Sequence, residues 1–336
     1  MGGKSLVRCR CVCKTFNTEI STPYFIRLNL QYTAAYNGNR LLILPVEKRG
    51  QSAVLGFNLD DRLSHESPLL VTPYLVYIFG SCNGLLLCYR ACSHLLSLHN
   101  PINGNIKYID IDKIDNSFFS SLGFRFDETH NDYKMVAIWE NYDFSQDQQP
   151  ERTVKVYSVM EDTWRITEYN YKIRVKDILD GCCSGVLIGN SLLHWMFWCP
   201  LSNRRHRIGC FDICSETWIS DVVLPDYYYN STECWIYLLE IGELDGRLCC
   251  SLENKIESCF DVWVMEEYGV KDSWTMLLSI PVIDDSLLGG IVAVARVGCE
   301  VLVKHRDGCE LWWYNIREKT MADSAFTSRP HVTPLV

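Results

Sequence analysis

The sequence predicts an all-β fold, a β-propeller of about six blades, preceded by a short helical segment. Three observations carry that expectation. Apolar residues follow a helical period only between Lys4 and Leu30, and the period falls to two after residue 40. A strand-closing position recurs at Asn58, Asn100, Ser158, Asp212, Trp263 and Asn315, at intervals of 42, 58, 54, 51 and 52 residues. No long helical pattern interrupts the strands between these landmarks.

Along the first segment Leu6, Cys9, Val12 or Cys13, Phe16 and Ile20 recur at steps of three and four, so they line one helical face. Ser21-Thr22-Pro23 breaks the pattern. Thr22 and Pro23 then serve as N-cap and first position of a second short helix through Tyr24, Phe25 and Leu28. Two helices of this size cannot bury a core alone and must pack on the rest of the chain or on a partner.

Beyond residue 40, short runs rich in Val, Ile, Leu and aromatics end at Gly, Asn, Asp or Pro. Strands are expected at residues 85–89, 135–139, 154–159, 164–169, 185–188, 192–198, 207–213, 246–251, 261–265 and 311–316. Most copies begin a hydrophobic strand at a glycine, as in NGLLLC, SGVLIG and DGRLCC, and close on Trp164, Trp218 or Trp274. A repeat of about 50 residues with four strands has the size of a kelch blade. One such sheet cannot bury both faces, so neighbours must stack. The likeness to kelch rests on the period alone, since Gly289-Gly290 is the only double glycine of the β region. The expected organisation is a helical segment at 4–30, a propeller at 41–325 and a tail at 326–336.

Composition narrows function. With 32 Lys and Arg against 41 Asp and Glu the chain carries −9, which disfavours a sequence-independent grip on nucleic acid phosphates. Its apolar runs fall short of the ~20 residues that span a bilayer, and the first residues interleave charge with apolar side chains rather than forming a secretory leader. Partners among nucleic acids and membranes are therefore not expected, and the cytoplasm or nucleus is the expected location. The 17 cysteines are an odd number, and the pairs at 9, 11 and 13, at 182–183, 210 and 214, and 249–250 lack zinc-ligand spacing. They read as reduced thiols used as small hydrophobes, with no metal or other cofactor. The carboxylates at Asp110, Asp112 and Asp115 read as a polar turn, because a calcium loop would demand a central glycine and a closing Glu.

The segment KSLVRCRCVCKTFNTEISTPYFIRLNL resembles the second half of an F-box. FGSCNGLLLC with LHNP, LGFRFDETHNDYKMV with VKVYSVMEDTWR, GVLIGNSLLHWM with CFDICSETW, and DVWVMEEYGVKDSWTMLLSI follow the order of the F-box-associated domain of plant F-box proteins. The resemblance covers nearly the whole chain. It implies a non-catalytic substrate receptor of an SCF-type ubiquitin ligase, joined through a Skp adaptor to a cullin and presenting a protein target. Carried over residue by residue, it puts Leu6, Val7, Cys9, Val12, Cys13, Lys14 and Phe16 on the adaptor-facing side. The alternative is that these side chains pack on the propeller's first blade. A complete F-box begins with a Leu-Pro helix ahead of Lys-Ser-Leu, and here only Met1 to Gly3 precede Lys4. The expectation is thus of a shortened F-box, and an adaptor-free protein-binding propeller stands beside the receptor reading.

For target binding the polar loop from Glu140 to Arg152 and the segment DYYYN at 226–230 stand out. Aromatic side chains on loops provide rigid contact area, which nominates Tyr142, Phe144, Tyr227, Tyr228 and Tyr229; the alternative is that alternate tyrosines point into the blade. Arg204, Arg205, His206 and Arg207 read as a solvated hairpin tip or as a receiver of an acidic segment. His194 reads as structural. GxSxG, HExxH and glycine-rich phosphate loops are absent from the sequence, and a propeller enzyme or glycan binder would instead need polar residues converging from different blades.

Overall fold

The computed structural model describes residues 9, 11–22, 24, 25, 28, 41–48, 51–58, 63–64, 70–72, 76–111, 117–141, 151–167, 183–189, 191–199, 205–230, 236–282, 288–294, 300–305, 310–321 and 326–327. Met1–Ile111 and Asp112–Val332 form the bulk of two compact units.

The first unit opens with helix α1, Lys14–Ile20. The helical period runs through Cys11 and Val12, yet both lie in a turn, so one continuous helix from Lys4 is corrected to a broken one. Cys13 is the reason: its backbone is extended and its Sγ accepts from the Phe16 N–H at 3.4 Å, capping α1. Thr22 behaves as anticipated, its Oγ1 accepting from the Phe25 N–H at 3.2 Å ahead of helical Tyr24, Phe25 and Leu28. Two four-stranded antiparallel sheets follow. The first holds Leu41–Lys48, Gln51–Asn58, Leu63–Ser64 and Leu70–Thr72. The second runs in order through Tyr77–Cys82, Leu85–Arg90, Leu95–His99 and Ile106–Ile109.

The second unit holds four more sheets, giving a propeller-like fold in which strands occupy most of the chain. The third sheet contains Ser117–Asp127, Asp132–Asn141, Glu151–Ser158 and Thr163–Ile166, with Cys183–Ser184 added in parallel beside the first of these. The fourth contains Val186–Ile188, Leu192–Cys199, Arg205–Asp212 and Thr217–Trp218. The fifth contains Ile236–Leu244, Arg247–Asn254, Cys259–Met265 and Trp274–Pro281. In the sixth, Leu288–Val294, Glu300–His305 and Glu310–Asn315 lead to the short Thr320–Met321.

Sheets of the second unit stack face to face. Val136, Val154 and Val156 of the third meet Trp195, Phe197 and Phe211 of the fourth. Ile208 and Cys210 of the fourth meet Cys250, Leu252 and Trp274 of the fifth. Phe260, Val262 and Leu278 of the fifth meet Val301, Val303 and Tyr314 of the sixth. Most of these side chains are fully buried, and each contributes about 1.5–3 kcal/mol of burial relative to exposure. Cysteine takes part as a small hydrophobe: Cys88, Cys249 and Cys250 are free and buried, and burial pushes the Cys249 thiol up to about 12.

The recurrent landmark has a structural meaning. Asn58 ends the second strand of its sheet, but at four later copies the landmark closes the third strand and its side chain accepts backbone N–H groups of the following turn: Asn100 from Ile102 and Asn103, Ser158 from Glu161, Asp212 from Cys214, Asn315 from Arg317 and Glu318. Four residues later the backbone turns left-handed, at Gly104, Asp162, Glu216, Gly269 and Lys319. Counting back from Gly269 puts the fifth landmark at Met265, whose Sδ accepts from the Gly269 N–H at 3.1 Å. The expected landmark Trp263 instead lies inside Cys259–Met265.

The glycine openings also divide. Asn83-Gly84 and Asp245-Gly246 have positive φ at both residues and make the two-residue hairpins between first and second strands. Gly185 precedes the first strand of its sheet, and a Cβ there would sit 2.9 Å from the Trp195 ring.

Candidate interaction surfaces

On the first unit, α1 turns Ile20 inward and leaves Phe16 52% exposed, and Val12 in the turn ahead of it is 68% exposed, with Cys13 and Lys14 also exposed and Cys9 half-buried. Tyr24 and Leu28 are exposed as well. Apolar side chains on two short helical turns present a surface that an apolar partner groove would cover. Leu6 and Val7 lie outside the described residues.

On the second unit, the tyrosine segment is not a projecting loop. Asp226–Asn230 forms a short helix, α2, opened by the hydrogen bond from the Tyr228 N–H to the Pro225 carbonyl at 3.0 Å. The Tyr227 ring stacks on Trp263 at 5.3 Å; its hydroxyl donates to Asp261 at 3.1 Å and accepts from the Asn254 amide. Burial, assisted by Asp261, pushes this phenol up to about 12. Tyr228 is 4% exposed, and its hydroxyl accepts from the His206 N–H at 3.1 Å. Tyr228 therefore offers no surface to a target, which corrects its nomination, and Tyr227 has its hydroxyl committed to the blade. The side chain of Tyr229, together with Tyr142 and Phe144, lies outside the described residues.

Of the basic cluster, Arg204 lies outside the described residues, and the strand that follows pairs antiparallel with Leu192–Cys199. Residues 205–207 are in the strand Arg205–Asp212. Burial lowers the His206 imidazole to about 4, and the Arg207 guanidinium pairs with Asp221 at 3.1 Å. His194 is structural: fully buried, it donates from Nδ1 to the Val186 carbonyl at 3.2 Å, and Nε2 accepts the Tyr268 O–H at 2.7 Å. The Tyr268 oxygen in turn meets the Cys210 thiol at 3.3 Å. Burial lowers His194 to about 4, so the imidazole is neutral and every polar atom of this chain of groups has a partner.

An ion lattice that no sequence motif marks joins the third and fourth sheets. Lys134, 2% exposed, reaches Asp127 at 2.7 Å and Glu216 at 2.7 Å. Asp127 also accepts from His130 Nδ1 at 2.6 Å and from the Thr129 N–H at 2.9 Å, and Arg165 grips Glu216 through two nitrogens. Burial opposes the charge on Asp127, but hydrogen bonds from Lys134 and His130 outweigh it and hold the carboxyl well below the usual range. Burial likewise opposes the charge on Lys134, and its two carboxylates more than restore it. Opposite charges in a closed lattice hold sheets together; such a lattice has no vacant ligand position. Among the described residues no three His, Cys, Asp or Glu side chains could hold a metal ion, and no helix is long and apolar enough to cross a membrane.

The fold and its surfaces define a propeller-type scaffold whose apolar helical turns lie apart from its blades in sequence. Residues 46–322 match the F-box associated beta propeller domain, and the chain belongs to that family. Among similar Arabidopsis thaliana proteins, the F-box protein CPR1 is 30% identical over 302 residues, covering 82% of this chain and 69% of that protein. An F-box/kelch-repeat protein of the same plant is 26% identical over 325 residues, covering 92% and 83%. A further F-box protein is 24% identical over 363 residues, covering 99% and 86%.

Proposed function

We propose that the chain is a non-catalytic substrate-recognition subunit of an SCF-type ubiquitin ligase. In this reading the helical turns seat on a Skp adaptor, which joins a cullin, and the propeller binds a protein target for ubiquitination in the cytoplasm or nucleus. The observation that carries it is family membership across residues 46–322 combined with apolar side chains left uncovered at Val12, ahead of α1, and Phe16, on it. Val12, in the turn ahead of α1, and Phe16, on α1, are both half or more exposed, so a groove on the adaptor would gain their burial. Leu6, Val7 and Cys9 would extend that contact, with Cys13 and Lys14 at its rim. Target binding belongs to the connections between strands, where Tyr142, Phe144 and Tyr229 remain the aromatic candidates and where sequence varies without disturbing the stacked sheets.

The test is co-purification of the tagged chain with cullin from plant cell extract, beside a form extended by a Leu-Pro helix ahead of Lys4. Cullin recovered with the chain as it stands supports the receptor. Cullin recovered only with the extended form makes this chain an adaptor-free protein-binding propeller.

A further inference from the structure

Charge is divided unequally along the chain. Residues 1–111 carry 11 Lys and Arg against 6 Asp and Glu, whereas 112–336 carry 21 against 35. The fifth sheet concentrates the excess, with 9 Asp and Glu against 3 Lys and Arg between residues 236 and 282. Its outer strand, Trp274–Pro281, ends the pairing order and has no further strand beside it among the described residues.

That strand exposes Thr275, Met276, Leu277, Ser279 and Pro281, with the apolar pair Met276 and Leu277 at its centre. Trp274, Leu278 and Ile280 are buried against the neighbouring sheets, while Met276 is 46% and Leu277 37% exposed. Trp263 pairs with Met276 and Val262 with Leu278, so Leu277 is the extra residue of a bulge. A bulge interrupts the row of free backbone groups, so a partner here must be held by side chains more than by an added ladder.

Carboxylates stand at both ends of this apolar centre. At the start, the strap 266–273 carries Glu266, Glu267 and Asp272, all exposed, and the Thr275 hydroxyl donates to Glu266 at 3.1 Å, which fixes that carboxylate beside the strand. At the far end, the Val282 N–H donates to the Ser258 carbonyl at 2.8 Å, drawing the turn that bears exposed Glu257 alongside. The nearby cations are Arg247, which pairs with Glu266 at 2.5 Å, Lys271, which pairs with Asp226, and Lys255, exposed in the same turn as Glu257. Eight extended residues span roughly 23 Å.

We propose that the outer edge of the fifth sheet is a docking surface for an extended protein segment of about eight residues, with Lys or Arg at both ends and apolar side chains at its centre. The basic ends meet Glu266, Glu267 and Asp272 on one side and Glu257 on the other, and the apolar centre covers Met276 and Leu277. Charge complementarity selects the partner's sign, and the two exposed apolar residues supply the contact that distinguishes it from a merely cationic one. As a statement about the ligase target this rests on the receptor reading; as a binding surface it stands apart from it.

The experiment is fluorescence anisotropy of the full chain with a labelled eight-residue peptide carrying lysines at both ends and leucine and valine at its centre. Two control peptides replace the centre with serine or the lysines with glutamate. The proposal expects M276S/L277S and E267K/D272K each to weaken binding at least tenfold, and both control peptides to bind at least tenfold more weakly than the parent. Equal thermal midpoints of the variants and the parent chain establish that the edge changes leave the fold intact. The proposal is overturned if M276S/L277S binds as well as the parent chain, or if E128K on the third sheet weakens binding as much as E267K/D272K. Adaptor binding is measured on the same preparations. If the adaptor binds and the peptide does not, this surface alone falls; if the peptide binds and the adaptor does not, the surface stands and the receptor reading falls.

Discussion

Replacing Lys134 by methionine should be among the most damaging single changes that leave the hydrophobic core untouched. The lysine is 2% exposed and its ammonium lies 2.7 Å from both Asp127 and Glu216. Methionine keeps most of the stem volume and removes the charge, leaving Asp127, with a side chain that is 0% exposed, supported only by His130, a thiol and backbone N–H groups. Removing one partner of a buried pair costs about 3–5 kcal/mol, because the remaining charge stays buried without its counter-ion. In urea unfolding of the full chain followed by tryptophan fluorescence, K134M should lower the midpoint accordingly. D127N/K134M should recover part of the loss by neutralising the stranded carboxylate. The folded pKa values of Asp127 and Glu216 are depressed, so their stabilisation is present above the unfolded carboxylate range near pH 4 and is lost as pH falls through their folded values. A K134M unfolding free energy within about 0.5 kcal/mol of the parent, or a double variant no better than the single, would refute the view that this lattice ties the third sheet to the fourth.

Other outcomes follow from the same contacts. G209A should cost about 1–3 kcal/mol, since its Cβ would meet the Trp218 ring at 2.4 Å and the Phe197 ring at 2.6 Å, and a thermal melt reads the loss. Y268F should cost about 1–3 kcal/mol by leaving buried His194 Nε2 without its donor; chemical denaturation checks this, and no change would mean another group replaces the phenol. His194 and His206 titrate near 4 when folded and near 6.5 when unfolded, so stability should be full above pH 6.5 and decline as pH falls toward 4. Unfolding free energies measured at pH 7.5, 6 and 5 should show that slope, and replacing His206 by glutamine should reduce it.

The strands were legible as short runs of aliphatic and aromatic residues bounded by turns, because stacking buries both faces of a sheet. Leu192–Cys199 and Arg205–Asp212 fall within a few residues of their anticipated bounds for that reason. The repeat was legible because Asn, Ser and Asp close the third strands by capping the next turn, a local device visible as residue type. Where Met265 takes that role with sulfur as acceptor the type signal vanished, and Trp263 stood in for it. Contacts between sheets were hidden: Lys134 and Glu216 are 82 residues apart, Tyr268 and His194 are 74, and no period relates them. The three tyrosines read as a loop because they lie between strands; Asp226–Asn230 instead forms a short helix, held by packing against Trp263 and His206. The break at Cys13 was missed because apolar spacing continues through it while the backbone does not.

The receptor account is tested most directly by titrating purified chain with purified Skp adaptor, beside V12E/F16E, in a calorimeter. Burying either side chain is worth about 1.5–3 kcal/mol, so the account predicts binding by the parent chain and a loss of at least tenfold in the variant. Adaptor binding that is unchanged in V12E/F16E, or no binding by a folded parent chain, would contradict it.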